Sequence, residues 1–186
     1  MKKHLAPLAA AALLASAAAS AAVLTPGTPV TGTLDGDPAG LLGAPDFAGN
    51  ASTVADGFDS VEFIAADFSF QLDIGSDGLL RLYDNTGTGA LAGTRVIRLS
   101  FADAALALAP PRLADGASLL SGAVQLQLLG PQAVQLTLAD LRFDAPYASV
   151  GIQLAPAPVP EPAPAALLAL GLLGLAWRRH GHRGRR

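Results

Sequence analysis

Ala123-Val124-Gln125-Leu126-Gln127-Leu128 recurs ten residues later as Ala133-Val134-Gln135-Leu136-Thr137-Leu138. In both copies branched apolar residues alternate with Gln or Thr, the period of two that marks a half-buried strand. Gly130-Pro131 between the copies breaks any continuous hydrogen-bonded ladder, so an antiparallel pair is the simplest arrangement. A period that appears only twice reads as a hairpin rather than a solenoid.

The same alternation spreads outward. In Phe68-Ser69-Phe70-Gln71-Leu72-Asp73-Ile74 every even position is apolar and every odd one polar. Val61 and Phe63 are apolar on the opposite parity, which predicts a bulge over residues 65–67 that switches the face. Gly75-Ser76-Asp77-Gly78 supplies turn residues before Leu79 to Tyr83, a hairpin signal. Ile97, Leu99 and Phe101 share one face of another strand, residues 84–93 form a loop, and residues 147–154 form a last strand. The alanine-leucine run from Ala102 to Ala109 is the one ambiguous segment, and Pro110-Pro111 closes it. Residues 34–60 show no period and are expected to loop at one end. About seven to nine strands with frequent turns make the chain all-β, an antiparallel β-sandwich or jelly-roll-like domain. An outer-membrane barrel is the competing fold, but it requires aromatic girdles, and the aromatic residues here are scattered.

Both ends differ from this middle. Lys2, Lys3 and His4, the apolar stretch Leu5 to Ala15, and Ala19-Ser20-Ala21 have the layout of a signal peptide over residues 1–22, with cleavage at the Ala19 and Ala21 site. A cargo domain follows over residues 23–155, then a Pro-rich spacer over 156–162. Next come an apolar segment over 163–177 and a basic tail over 178–186. About fourteen helical residues span roughly 21 Å, short of a hydrocarbon core of about 30 Å. The expectation is one short transmembrane helix with its arginines held on the cytoplasmic side and the cargo outside.

Charge follows the same division. Between leader and tail lie five arginines and no lysine, against fourteen carboxylates, so the cargo carries about −9 although the whole chain is −3. That sign repels a phosphate backbone and argues against nucleic-acid partners. The chain has no cysteine, and its three histidines, His4, His180 and His182, all lie outside the cargo. Ser-His-Asp, Cys-His and Ser-Lys sites are therefore excluded, as are the His or Cys ligands of zinc.

Carboxylate chemistry remains. The cargo has one glutamate, Glu62, whose neighbours Val61 and Phe63 predict that it points to solvent, and no pair of carboxylates stands out as catalytic. The aspartates beside glycine, including Asp35-Gly36-Asp37-Pro38, read as turn residues. Calcium is the one cation the composition suits, with Asp73, Asp77 and Asp84 as candidate ligands at positions 1, 5 and 12 of an EF-hand-like loop. Position 3 is Gly75, position 12 is not glutamate, and the flanks read as strands, so a hairpin turn is the preferred reading. No cofactor is expected.

Pro160-Glu161-Pro162, the short apolar helix and the cluster beginning Arg178-Arg179 together resemble the PEP-CTERM sorting signal. The resemblance covers about the last 28 residues. It implies recognition by an exosortase, a membrane-embedded processing enzyme, and an association with exopolysaccharide production in Gram-negative bacteria. Export through the Sec translocon, removal of the leader by signal peptidase, and a temporary inner-membrane anchor before delivery to the cell surface or matrix are the expectations. The expected function is a non-enzymatic binder or structural component associated with extracellular polysaccharide and biofilm. A carboxylate-dependent glycan hydrolase or lyase is the alternative.

Overall fold

The repeat forms one long hairpin. Its strands are β9 (Leu119–Gly130) and β10 (Ala133–Phe143), paired antiparallel with Leu126 opposite Leu136 and Gln127 opposite Gln135. Only Pro131 and Gln132 separate them. The computed structural model that contains this hairpin describes residues 23–57 and 60–158.

Upstream lie β1 (Pro29–Leu34), β2 (Leu41–Gly43), β3 (Ala51–Thr53), β4 (Phe63–Ala65), β5 (Phe70–Ile74) and β6 (Leu79–Asp84). Then come β7 (Ala90–Phe101) and β8 (Arg112–Asp115) before the hairpin, and β11 (Ser149–Gln153) after it. The strands form two antiparallel sheets. One has the order β3-β1-β7-β10-β9 and the other β2-β4-β5-β6-β11-β8. Alternate residues of each face a single shared cluster. Val30, Ile97, Leu99, Val134 and Leu136 enter it from the five-stranded sheet, and Phe63, Phe70, Leu72, Leu82 and Ile152 from the six-stranded sheet. The described residues are thus all-β, and their only helical element is a 3-10 turn at Pro38–Gly40.

The eleven strands among the described residues exceed the expected seven to nine; β1, β2, β3 and β8 match none of the strands located from the sequence, and two of these lie in residues 34–60. There β2 and β3, three residues each, form an edge of either sheet. Strands so short carry too few residues to display a period. The expected bulge over residues 65–67 is instead a tight turn between β4 and β5. Asp67 accepts hydrogen bonds from the Ser69 amide (3.1 Å) and hydroxyl (2.5 Å), the Phe68 amide donates to the Ala65 carbonyl, and Phe68 adopts a φ of 58°. An aspartate that closes a turn on the residue two positions ahead replaces the bulge. A real bulge occurs between β9 and β10, where the register shifts beyond Ala139 and Asp140 takes a φ of 46°. The 102–111 segment is not helical; Leu106 and Leu108 anchor it to the core, and Leu108 bridges to Pro156.

Candidate functional site

Because Ile97, Leu99, Val134 and Leu136 point inward, their neighbours cover the outer face of the five-stranded sheet. Thr33, Arg98, Gln135 and Gln127 line up in one row across β1, β7, β10 and β9. Val96, Thr137 and Gln125 form the row beside it. The Arg98 Nε donates to the Gln135 Oε1 at 2.8 Å, and Arg98, Gln125 and Gln127 are exposed. A hollow of about 390 Å³ lined by Asp35, Gly36, Val96 and Arg98 adjoins these rows. Asp35 shapes it by accepting the Val96 amide at 2.7 Å from a residue with a φ of 55°. The Asp35-Gly36-Asp37 segment is thus the turn its residues suggested, and Asp37 caps the following 3-10 turn through the Ala39 amide. The face can donate and accept hydrogen bonds over an area several strands wide.

A second place departs from the sequence expectation. Glu62 does not face solvent; it is 1% exposed. Phe63 enters the core as expected, so Glu62 points to the opposite side of its sheet. That side is covered by chain from another part of the sequence. Ala44, Pro45, Phe47, Ser52, Thr53 and Ala55 line a cleft of about 420 Å³ together with Ser60, Val61 and Glu62. Val61, expected in the core with Phe63, thus lines the cleft as well. The Glu62 Oε2 accepts the Ile74 amide at 2.5 Å. Burial, and to a lesser degree the neighbouring Asp73 carboxylate, raise its pKa against the lowering effect of the backbone amides, leaving it at about 7. Continuing the β4–β5 register by one residue sets Glu62 opposite Asp73, and Asp73 is in turn opposite Arg81 on β6. Asp73 is also buried, at 3% exposed, although strand alternation places it on the polar side.

With a pKa of about 7, the carboxyl beside this cleft is about half protonated near neutral pH. A glycosidase needs two carboxylates flanking the bond to be cut. Among the described residues that line this cleft, Glu62 is the one carboxylate; Asp73, opposite it on β5, is not among them.

The calcium candidates are not brought together. Asp77 sits at the tip of the β5–β6 hairpin, where its Oδ1 accepts the Leu79 amide at 2.9 Å. Asp84 ends β6 opposite Phe70, three rungs from the Asp73–Arg81 pair and on the core side of the sheet. Its carboxylate is occupied in holding the next loop, accepting the Thr86 amide and hydroxyl, the Gly89 amide and the Tyr147 amide. Among the described residues no group of three or more His, Cys, Asp or Glu side chains is placed to hold a metal ion. The EF-hand-like spacing is that of a strand, a turn and a strand, and strands send alternate residues to opposite faces.

Ala19 and Ala21 of the leader, and Pro160, Glu161, Pro162, Arg178 and Arg179 of the tail, lie outside the described residues, as does the expected transmembrane segment. Of these, the tail residues are covered by a sequence comparison. The family model for the PEP-CTERM protein-sorting motif matches residues 158–179. The tail is a PEP-CTERM sorting motif. It begins where the last described strand has ended, so the sorting signal follows the sandwich in the chain and does not interrupt it. The motif implies export and membrane-associated sorting by an exosortase. No curated protein and no solved structure matches the chain.

Nothing in the local pattern around Glu62 signalled its burial, because the covering segment starts about twenty residues upstream. Its being the one glutamate among thirteen aspartates of the cargo was the only distinguishing sign.

Proposed function

We propose that the protein is delivered by its PEP-CTERM tail to the cell surface or extracellular matrix of a Gram-negative bacterium, where the sandwich binds or structures polysaccharide without catalysis. At the other end the Sec translocon exports the chain, and signal peptidase cleaves it after Ala21 or Ala22. The supporting observation is the outer face of the five-stranded sheet. Its rows of Arg98, Gln135, Gln127, Thr137 and Gln125 offer both donors and acceptors, as hydroxyl-rich chains require. A cargo charge of about −9 favours a neutral polysaccharide over a polyanionic one.

A glycan array read with and without calcium tests this reading. Wild-type protein should bind a neutral polysaccharide, and Arg98→Ala combined with Gln135→Ala should weaken binding about tenfold or more, the loss of one or two hydrogen bonds to a charged or amide group. Unchanged binding by the double variant would remove the face from the account. Calcium dependence would give the cation a role.

The second reading, a glycan hydrolase or lyase, is favoured by one observation: Glu62 holds its proton to about pH 7 at the edge of a cleft, as a general acid must. The absence of a facing carboxylate among the described lining residues weighs against it. Glu62→Gln should leave the interaction with polysaccharide unchanged. A hundredfold loss of glycan turnover in the folded variant would make the protein an enzyme.

A further inference from the structure

Four strand edges bound the two sheets, and they are not alike. β2 and β3 are three residues long, and β8 is four residues long and carries Arg112 and Asp115. Short or charged edges resist pairing with another chain. β9 is twelve residues long and holds no charged residue and no proline. Among the described residues, no backbone group of residues 120–130 hydrogen-bonds to any segment other than β10. Alternate N–H and C=O groups along this strand therefore point away from the sheet, open to a further strand. Val124, Leu126 and Leu128 face the core yet are only half-buried, because no strand continues the sheet beyond them.

The internal repeat identifies what fits there. Within the chain, Leu126 faces Leu136, Val124 faces Leu138, and Leu128 faces Val134. β10 repeats β9 with an offset of ten residues, so Val134, Leu136 and Leu138 correspond to Val124, Leu126 and Leu128. Transferred through that offset, the observed register sets Leu126 opposite Leu126 of a second copy and Val124 opposite its Leu128. Such a register is symmetric, and Leu126 lies at its centre. It also sets Gln125 opposite Gln127 of the second copy, close to the Gln127–Gln135 match already made inside the chain.

We propose that β9 pairs antiparallel with β9 of a second copy about a two-fold axis through Leu126. A two-fold axis normal to the sheet keeps the apolar faces on one side, so two five-stranded sheets become one of ten strands. The half-buried Val124, Leu126 and Leu128 gain neighbours, and the polar outer rows continue from one copy into the next. The strand's lack of charge is what lets two copies of about −9 each approach along it. The pairing is independent of what the outer face binds.

Disulfide trapping in the full chain, purified in detergent, tests the register. The chain has no cysteine of its own, and Gln125 and Gln127 are exposed, so substitution there leaves the core intact. Gln125→Cys mixed with Gln127→Cys should give an oxidised heterodimer. Either variant alone should cross-link several-fold less, because identical positions then lie on the diagonal, about 7–8 Å apart, beyond the usual disulfide span. Equal cross-linking in all three samples, or none in the mixture, would overturn the proposal. A second pair of variants separates register from general stickiness. Gln125→Lys with Gln127→Lys sets like charges opposite each other across the two-fold, whereas Gln125→Lys with Gln127→Glu sets opposite charges there; inside the chain both face the uncharged Thr137 and Gln135. The first should dissociate and the second associate at least as well as wild type. Indistinguishable association of the two would also overturn it.

Discussion

Glu62 and Asp84 are both 1% exposed, yet their surroundings differ. Asp84 accepts hydrogen bonds from a hydroxyl and three backbone amides, which match its negative charge and tie residues 84–90 and Tyr147 to the sheet. Glu62 has burial and a neighbouring carboxylate to contend with, and its pKa rises from 4.5 to about 7. Between those values the unfolded chain has lost a proton that the folded chain still holds, so stability must fall as pH rises through that window. The full difference is about 3 kcal/mol, taking about 1.4 kcal/mol per unit. Denaturant unfolding at a series of pH values should show that decline in the wild type and little of it in Glu62→Gln, whose amide is neutral throughout. An equal slope in both would mean that Glu62 ionises as freely folded as unfolded. Asp67 acts in the opposite sense and in a separate window. Burial raises its pKa, but hydrogen bonds from Ser69 and the Arg95 guanidinium at 2.7 Å outweigh it, so the pKa lies below the ordinary 3.8. The stability Asp67 contributes is present above that pH and lost as pH falls through the lowered pKa.

Among the elements, the long hairpin depends on a local irregularity that lets its strands keep their faces. Gly122 adopts a φ of 99° opposite Asp140, and a Cβ there would come 2.6 Å from the Asp140 carbonyl oxygen and 2.7 Å from that of Ala139. Both the conformation and the space require glycine. Gly122→Ala should cost roughly 1–3 kcal/mol, the usual penalty for forcing such a conformation, and should shift amide exchange first in residues 119–123 and 139–143. A variant as stable as wild type would show that this bulge is not held in place by Gly122. The regular part of the hairpin was readable from residues 123–138 alone, because period two, a Gly-Pro break and strand pairing all act over short sequence distances. The bulge was not readable, since a single glycine in a strand marks a bulge only once its partner strand is known. β2 and β3 were hidden for a related reason: each is defined by pairing with β4 or β1, and three residues have no period. Glu62 was misplaced because alternation tells which face of a strand a residue is on, and cannot tell whether a distant segment covers that face.

At the scale of the whole chain, the two kinds of information are divided along the sequence. The sandwich in the middle is held by one apolar cluster shared between two sheets, without a cysteine anywhere in the chain. Its folding therefore rests on packing and paired backbone groups, and the chain's address is carried by residues 158–179, after the last strand. We propose that the apolar residues 163–177 hold the tail in the membrane only until it is processed, since about fourteen residues at the helical rise would span roughly 21 Å, short of a hydrocarbon core of about 30 Å. Replacing Pro160, Glu161 and Pro162 with alanine, and following the protein by fractionation and apparent mass in its own host, tests the sorting account most directly. The account predicts that the variant accumulates uncut in the membrane while the wild type is shortened and leaves it. Processing and release of the variant at the wild-type rate would contradict it.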